Sequence, residues 1–219
     1  MKDAQGPLVQ GRTRWRRFAA VSVPAVALAG GIVFGMANGA IAAQFSVSGQ
    51  PFKISAAKLE GTGFAQYGGV AVEKGGNPQD ILGKSHPVAT AAIADATLTK
   101  LCQSVKVPGA PVSLVIHAGD EPGNPAHATE LLIDMTDLQG DATFTKINIG
   151  QDASTLTAAG TGPGTHSETP GSFGQQAQKV VITDLKQTAW STAAGTFELK
   201  GLRLKVNVAA NGKPEECFS

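Results

Sequence analysis

Charge, aromatic side chains, cysteine and histidine are all scarce in this chain. Charged residues make up 16% of the sequence and aromatic residues 5%, with two cysteines and four histidines. Eighteen basic residues against seventeen acidic ones leave a net charge of +1. Nucleic-acid phosphates require a dense Lys/Arg footprint, so nucleic acid is not expected as a partner. Two cysteines are too few for a structural zinc site, which takes four ligands. His117, Asp120, Glu121 and His127 flank one loop. They lack a metal-binding spacing such as H-E-x-x-H, so neither metal nor cofactor is expected.

Catalytic motifs are missing as well. A serine hydrolase presents its nucleophile in G-x-S-x-G. Gly83-Lys84-Ser85-His86-Pro87 starts that pattern and ends in proline, while Gly171-Ser172-Phe173-Gly174 is one residue short. His86, His117, His127 and His166 are dispersed, and each reads as a loop or surface residue. His166-Ser167 lies in a Gly-rich loop, which does not hold a triad in place. Asp134, Asp137 and Asp141 read as a solvated rim rather than a glycosidase pair. No Gly-rich phosphate loop is present. No catalytic residue is assigned.

The N-terminus carries an export signal. Arg12, Arg14, Arg16 and Arg17 form a basic block, and Phe18 to Ala37 contain no charge. That apolar length is about what a bilayer core requires. Ala40-Ile41-Ala42 supplies a small-x-small cleavage site, with the cut expected between Ala42 and Ala43. Uncut, the segment is a membrane anchor. The expected organisation is a cytoplasmic basic region over 1–17, a signal peptide or anchor helix over 18–43, and an extracytoplasmic domain over 44–219. Cys102 and Cys217 both fall in the exported part, where an even cysteine count reads as a disulfide. In the chain-entropy model so long a closure is worth about 4–5 kcal/mol.

Past residue 43 the pattern is that of an all-β domain built from repeated units, arranged as a sandwich or a solenoid. Ala96-Thr-Leu-Thr-Lys-Leu101 recurs as Ala142-Thr-Phe-Thr-Lys-Ile147. A wider motif sets an aliphatic residue a few positions before a larger apolar one: Leu59…Phe64, Ile93…Leu98, Leu138…Phe144 and Leu185…Trp190. The third copy carries one extra residue, which a β-bulge would absorb. Val112, Leu114 and Ile116 alternate along one strand, and Leu131, Ile133 and Met135 along another. Leu202, Leu204, Val206 and Val208 alternate in the phase opposite to Phe197 and Leu199, with a bend expected at Gly201. Residues 157–176 are rich in Gly, Thr and Ser and read as an exposed, flexible loop.

Several stretches are specific enough to compare with a family: Gly11-Arg-Thr-Arg-Trp-Arg-Arg-Phe-Ala-Ala20, Gly61-Thr-Gly-Phe-Ala-Gln-Tyr-Gly68, Leu101-Cys-Gln-Ser104, Gly140 to Ser154, Ile182 to Trp190 and Glu216-Cys-Phe218. Together they resemble an actinobacterial family of exported proteins of unknown function, over nearly the whole chain. Members often carry the label cholesterol esterase, so the resemblance implies a lipid-ester hydrolase as one alternative. It also implies a multi-span membrane protein as a partner, which would make the chain an accessory subunit. The reading drawn from the residues is a non-enzymatic envelope protein, structural or binding an apolar, lipid-like ligand, either secreted or held at the outer face of the membrane.

Overall fold

A computed structural model describes residues 46, 47, 49–79, 83–167, 169–209 and 213–219. The export segment and the Ala42/Ala43 cleavage position lie outside the described residues. The strands in chain order are β1 (Ser46–Val47), β2 (Phe52–Glu73), β3 (Ser85–Thr99), β4 (Leu101–Lys106), β5 (Val112–Ala118), β6 (Ala126–Thr145), β7 (Asn148–Asp152), β8 (Phe173–Ala193), β9 (Thr196–Glu198) and β10 (Arg203–Val208). A 3-10 turn, Ala153–Thr155, follows β7. The domain is all-β, as its alternation indicates.

Its architecture is neither a sandwich nor a solenoid. β2 pairs antiparallel with β3 along one edge and with β8 along the other. β3 pairs with β6, and β6 with β8. Four long strands therefore close into a small barrel. Each of the four sequence repeats lies in one of them, so the repeats are staves of one wall, not stacked layers. β4 continues beside the start of β2, and β5 and β10 extend from it as a three-stranded flap. β7 prolongs the β6 edge along β8, and β9 pairs with the start of β6.

Barrel width grows with strand number, so four strands leave room for few large side chains. The interior accordingly mixes Ala56, Ala91, Ala96, Ala126, Ala128, Ala177 and Ala189 with Leu59, Phe64, Ile93, Leu98, Leu131, Val180, Ile182 and Leu185, all buried. At Gly61 a Cβ would lie 2.6 Å from Ile93 Cγ2, so only a hydrogen fits. Phe64 and Phe144 meet with ring centroids 5.3 Å apart.

The strands close this tightly because they bend. Non-glycine residues Lys100, Glu130, Lys146 and Asp184 have φ of +53°, +51°, +54° and +52°, and Gly63 has +67°. At Gly63, Lys100, Glu130 and Asp184 the inward phase slips, and buried residues two apart become three apart: Gly61/Phe64, Leu98/Leu101, Ala128/Leu131 and Ile182/Leu185. The strands facing Gly63 and Asp184 slip likewise, without a positive φ, at Ile93/Ala96, Ala177/Val180 and Ala56/Leu59. Facing strands slip together, so the β2–β3 register is the same before and after Gly63. The two copies of the Ala-Thr-x-Thr-Lys repeat place Lys100 and Lys146 alike at such bends. The extra residue of the third repeat is absorbed at Gly140 (φ +148°), where the β6–β8 register shifts.

Two sequence expectations are corrected. Residues 157–176 are not simply an exposed excursion. Leu156, Ala159 and Ser167 are buried, and Phe173 to Gln176 belong to β8. Gln176 Oε1 accepts hydrogen bonds from the Thr157 and Ala158 amides, both at 2.9 Å, and the Tyr67 hydroxyl donates to the Gly164 carbonyl at 2.9 Å. The segment packs Leu156 and Ala159 on Ala65 and Ala92, a second apolar layer outside the barrel. The change of phase near Gly201 (φ +64°) is not a bend within one strand. It is a turn between β9 and β10, which pair with different neighbours.

Gly63 meets both demands at once. Beyond its positive φ, a Cβ there would lie 2.4 Å from the Ala158 carbonyl oxygen and 2.9 Å from Ala94 Cβ. Gly63→Ala is expected to destabilise the domain by about 2–4 kcal/mol, combining left-handed strain with overpacking. Gly150→Ala serves as the control, because Gly150 has φ +84° but open space around it. Its expected loss is the strain alone, about 1–2 kcal/mol. Urea unfolding of both variants checks the difference.

Candidate functional site

The β4–β5–β10 flap has two unlike faces, because alternate residues of a strand point to opposite sides. One face carries Cys102, Ser104 and Lys106 from β4, Ser113 and Val115 from β5, and Lys205 and Asn207 from β10. The C-terminal residues lie across it. The Cys102 and Cys217 sulfurs are 2.01 Å apart, with Cα atoms 5.7 Å apart. The Cys217 amide donates to Ser104 Oγ at 3.0 Å, and Ser113 Oγ donates to the Glu215 carbonyl at 2.6 Å. Both serines are fully buried as a result. Lys53 bonds Glu216 at 3.2 Å and places its Nζ 5.0 Å from the Phe218 ring centre. Lys106 also pairs with Glu216.

Burial of Glu216 works against its charge, but the hydrogen bonds from Lys106 and Lys53 outweigh it and hold the carboxyl below its ordinary value. A carboxyl lowered by folding stabilises the tail fully above its unfolded value of 4.5, and that contribution is lost as pH falls through the lower folded value.

The opposite face carries Gln103 and Val105, then Val112, Leu114 and Ile116, then Leu204, Val206 and Val208, in register across three strands. At its inner end this face runs into Leu101 and Ala118 of the barrel core. At its outer end nothing among the described residues covers it. Leu204 is 59% exposed, Val206 60% and Val208 71%, with Leu202 beside them at 52%. The barrel's apolar lining thus continues outward into solvent. The alternation of Val112, Leu114 and Ile116 was legible in the sequence, but its side was not: the fully buried phase of β5 is Ser113 and Val115, beneath the tail.

The remaining candidate residues disperse. Ser85 Oγ, 1% exposed, donates to the Asn77 carbonyl at 2.5 Å. His86 beside it points to the other face of β3, stacks on Trp190 at 3.6 Å and bonds Glu73 at 2.9 Å. His127 pairs with Asp95 at 2.8 Å, while Asp120 pairs with Arg203. The loop set His117, Asp120, Glu121 and His127 is therefore not gathered, and among the described residues no group of three or more potential ligands could hold a metal ion. Asp134 accepts from Thr90 Oγ1 at 2.7 Å and Ser191 Oγ at 2.6 Å across three strands, whereas Asp137 and Asp141 are exposed. His166 contacts Thr165 Oγ1 at 3.2 Å.

The tail attachment yields a direct test. Intact mass without reductant is expected to fall by two hydrogens relative to the reduced protein. Cys102→Ser is expected to lower unfolding stability by about 4–5 kcal/mol. In that variant, hydrogen-exchange protection over residues 213–219, taken relative to the intrinsic rate at each pH, is expected to fall as pH drops from the ordinary carboxylate value through the lower folded value of Glu216.

No curated protein and no solved structure matches the chain. One family does, from residue 48 in the segment before β2 to residue 218 beside the Cys102–Cys217 link. With that match spanning the barrel, the flap and the tail, the chain belongs to the family of unknown function DUF6230.

Proposed function

We propose that the chain is an exported cell-envelope protein that presents the open aliphatic face of its flap to an apolar, lipid-like partner. One observation carries this reading: Leu204, Val206 and Val208, each more than half exposed, line up beside Ile116, Leu114 and Val112 on a face continuous with the barrel core, with exposed Leu202 just before them. Large apolar patches that stay open on a folded domain mark interaction sites. Covering one such side chain is worth about 1.5–3 kcal/mol. A surface ion pair such as Lys205–Glu215, at 3.4 Å, is worth roughly 0–1 kcal/mol. Apolar contact therefore outweighs charge as a source of affinity on this flap.

Arg12 to Arg17 and the uncharged run from Phe18 to Ala37 support export and a place at the membrane. Cleavage between Ala42 and Ala43 releases the domain, and retention tethers it to the membrane. The role is structural or ligand-binding.

Phosphatidylcholine vesicles are expected to co-sediment with the purified protein. Leu204→Asp combined with Val206→Asp, both on exposed side chains, is expected to leave the fold intact by circular dichroism and to lower vesicle binding at least about tenfold, as desolvating two charges opposes apolar contact. Binding unchanged in the double variant removes the proposal. The intact mass of the protein recovered from cells reads the cleavage directly.

A further inference from the structure

A second feature stands apart from the flap. On the outer wall of the barrel, the segment after Leu156 leans over β3 and β6 and leaves a cleft of about 500 Å³. That volume falls within the range of small-molecule sites, roughly 300–1,000 Å³. Ala92 and Leu132 form its floor, Ala159 and Pro163 its overhang, and Ala193 to Gly195 its far side. The overhang is fixed by several ties: the two amides held by Gln176, the Tyr67 hydroxyl on Gly164, the Ser167 amide on the Ala153 carbonyl at 3.1 Å, and the Ala158 carbonyl seated against Gly63. Small-molecule sites are largely pre-formed in this way.

Among the residues lining the cleft, Glu130 alone is charged. It stands at a bend with φ +51°. Its carboxylate lies so close over Gly195 that a Cβ there would fall 2.4 Å from Oε2. Gly195 is itself held by its amide to the Thr129 carbonyl at 2.9 Å. No ion pair involves Glu130 among the described residues. The walls mix apolar side chains with Thr161, Thr165 and glycine backbone, and the one charge is the exposed carboxylate of Glu130 at the rim, a lining that suits a short aliphatic body carrying a single positive charge.

We infer that this cleft binds a small organic cation of the alkylammonium class, with the ammonium on Glu130 and the alkyl chain between Ala92, Leu132 and Ala159. Calorimetric titration of the purified protein tests it with hexylammonium, set against 1-hexanol and hexanoate. The ammonium is expected to bind about two- to fivefold tighter than either counterpart, the difference one exposed ion pair makes. Glu130→Gln removes the charge and keeps the shape. Glu130→Gly removes the side chain at a backbone angle glycine adopts freely, so the fold survives. Both are expected to weaken ammonium binding about two- to fivefold, the value of one exposed ion pair. Equal binding of hexanol or hexanoate, no binding of the ammonium at millimolar concentration, or unchanged affinity in both variants overturns the inference. So does loss of ammonium binding on combining Leu204→Asp with Val206→Asp, since those residues belong to the flap.

Discussion

Everything in this domain depends on bending long strands sharply enough for four of them to close. Strands of 22, 15, 20 and 21 residues cannot wrap so small an interior while staying regular. The left-handed residues supply the curvature, as bends and bulges do in other closed sheets. Each non-glycine bend carries strain of about 1–2 kcal/mol. Facing strands slip by the same step, so the pairing between them survives. The narrow interior then sets composition: alanine and glycine where strands approach, leucine and isoleucine where the wall leaves space. This is why the chain is rich in small residues and poor in aromatics.

The flap follows from the same closure. β4 is the continuation of β3 beyond the Lys100 bend, and it leaves the barrel because its outer neighbour is β5, whereas β3 is paired with β6 only as far as Leu98. A sheet that departs from a barrel carries one face that was interior and one that was exterior. Serines, a cysteine and charged residues on the exterior face receive the C-terminal tail. The interior face keeps its aliphatic character and runs out into solvent. The asymmetry is thus a consequence of topology, and the aliphatic face is the barrel lining prolonged.

Much of this was legible in the sequence, and the exceptions share a cause. The all-β class, the four repeat units and the bulge for the extra residue between Leu138 and Phe144 could be read from spacing alone. The closed barrel could not. Strict alternation is the mark of a strand, yet Leu98/Leu101 and Ile182/Leu185 are three apart and all buried. A run of twos broken by threes fits neither strand nor helix, so it blurs the very places where the wall bends. The repeated lysines were the available clue, since Lys100 and Lys146 end both copies of one motif. The segment after Leu156 was misread because its Gly and Thr content resembles a linker, while its anchors, Tyr67, Gln176 and Gly63, are distant in sequence. The aliphatic face was visible as period-two spacing, but periodicity does not say which face a neighbour will cover.

Closure through β2 and β8 also sets a clock. Phe52 pairs with Ala189 and Tyr67 with Gly174, so the wall's first stave waits for its last. Pairings this far apart in sequence are slow to form, because the whole intervening loop must be brought together first. Until β8 arrives, β2 exposes an unpaired edge and an apolar inner row, the kind of surface on which chains associate wrongly. The barrel is therefore a late-committing fold. The interval before its seam closes is when the chain is most in need of protection from its own copies.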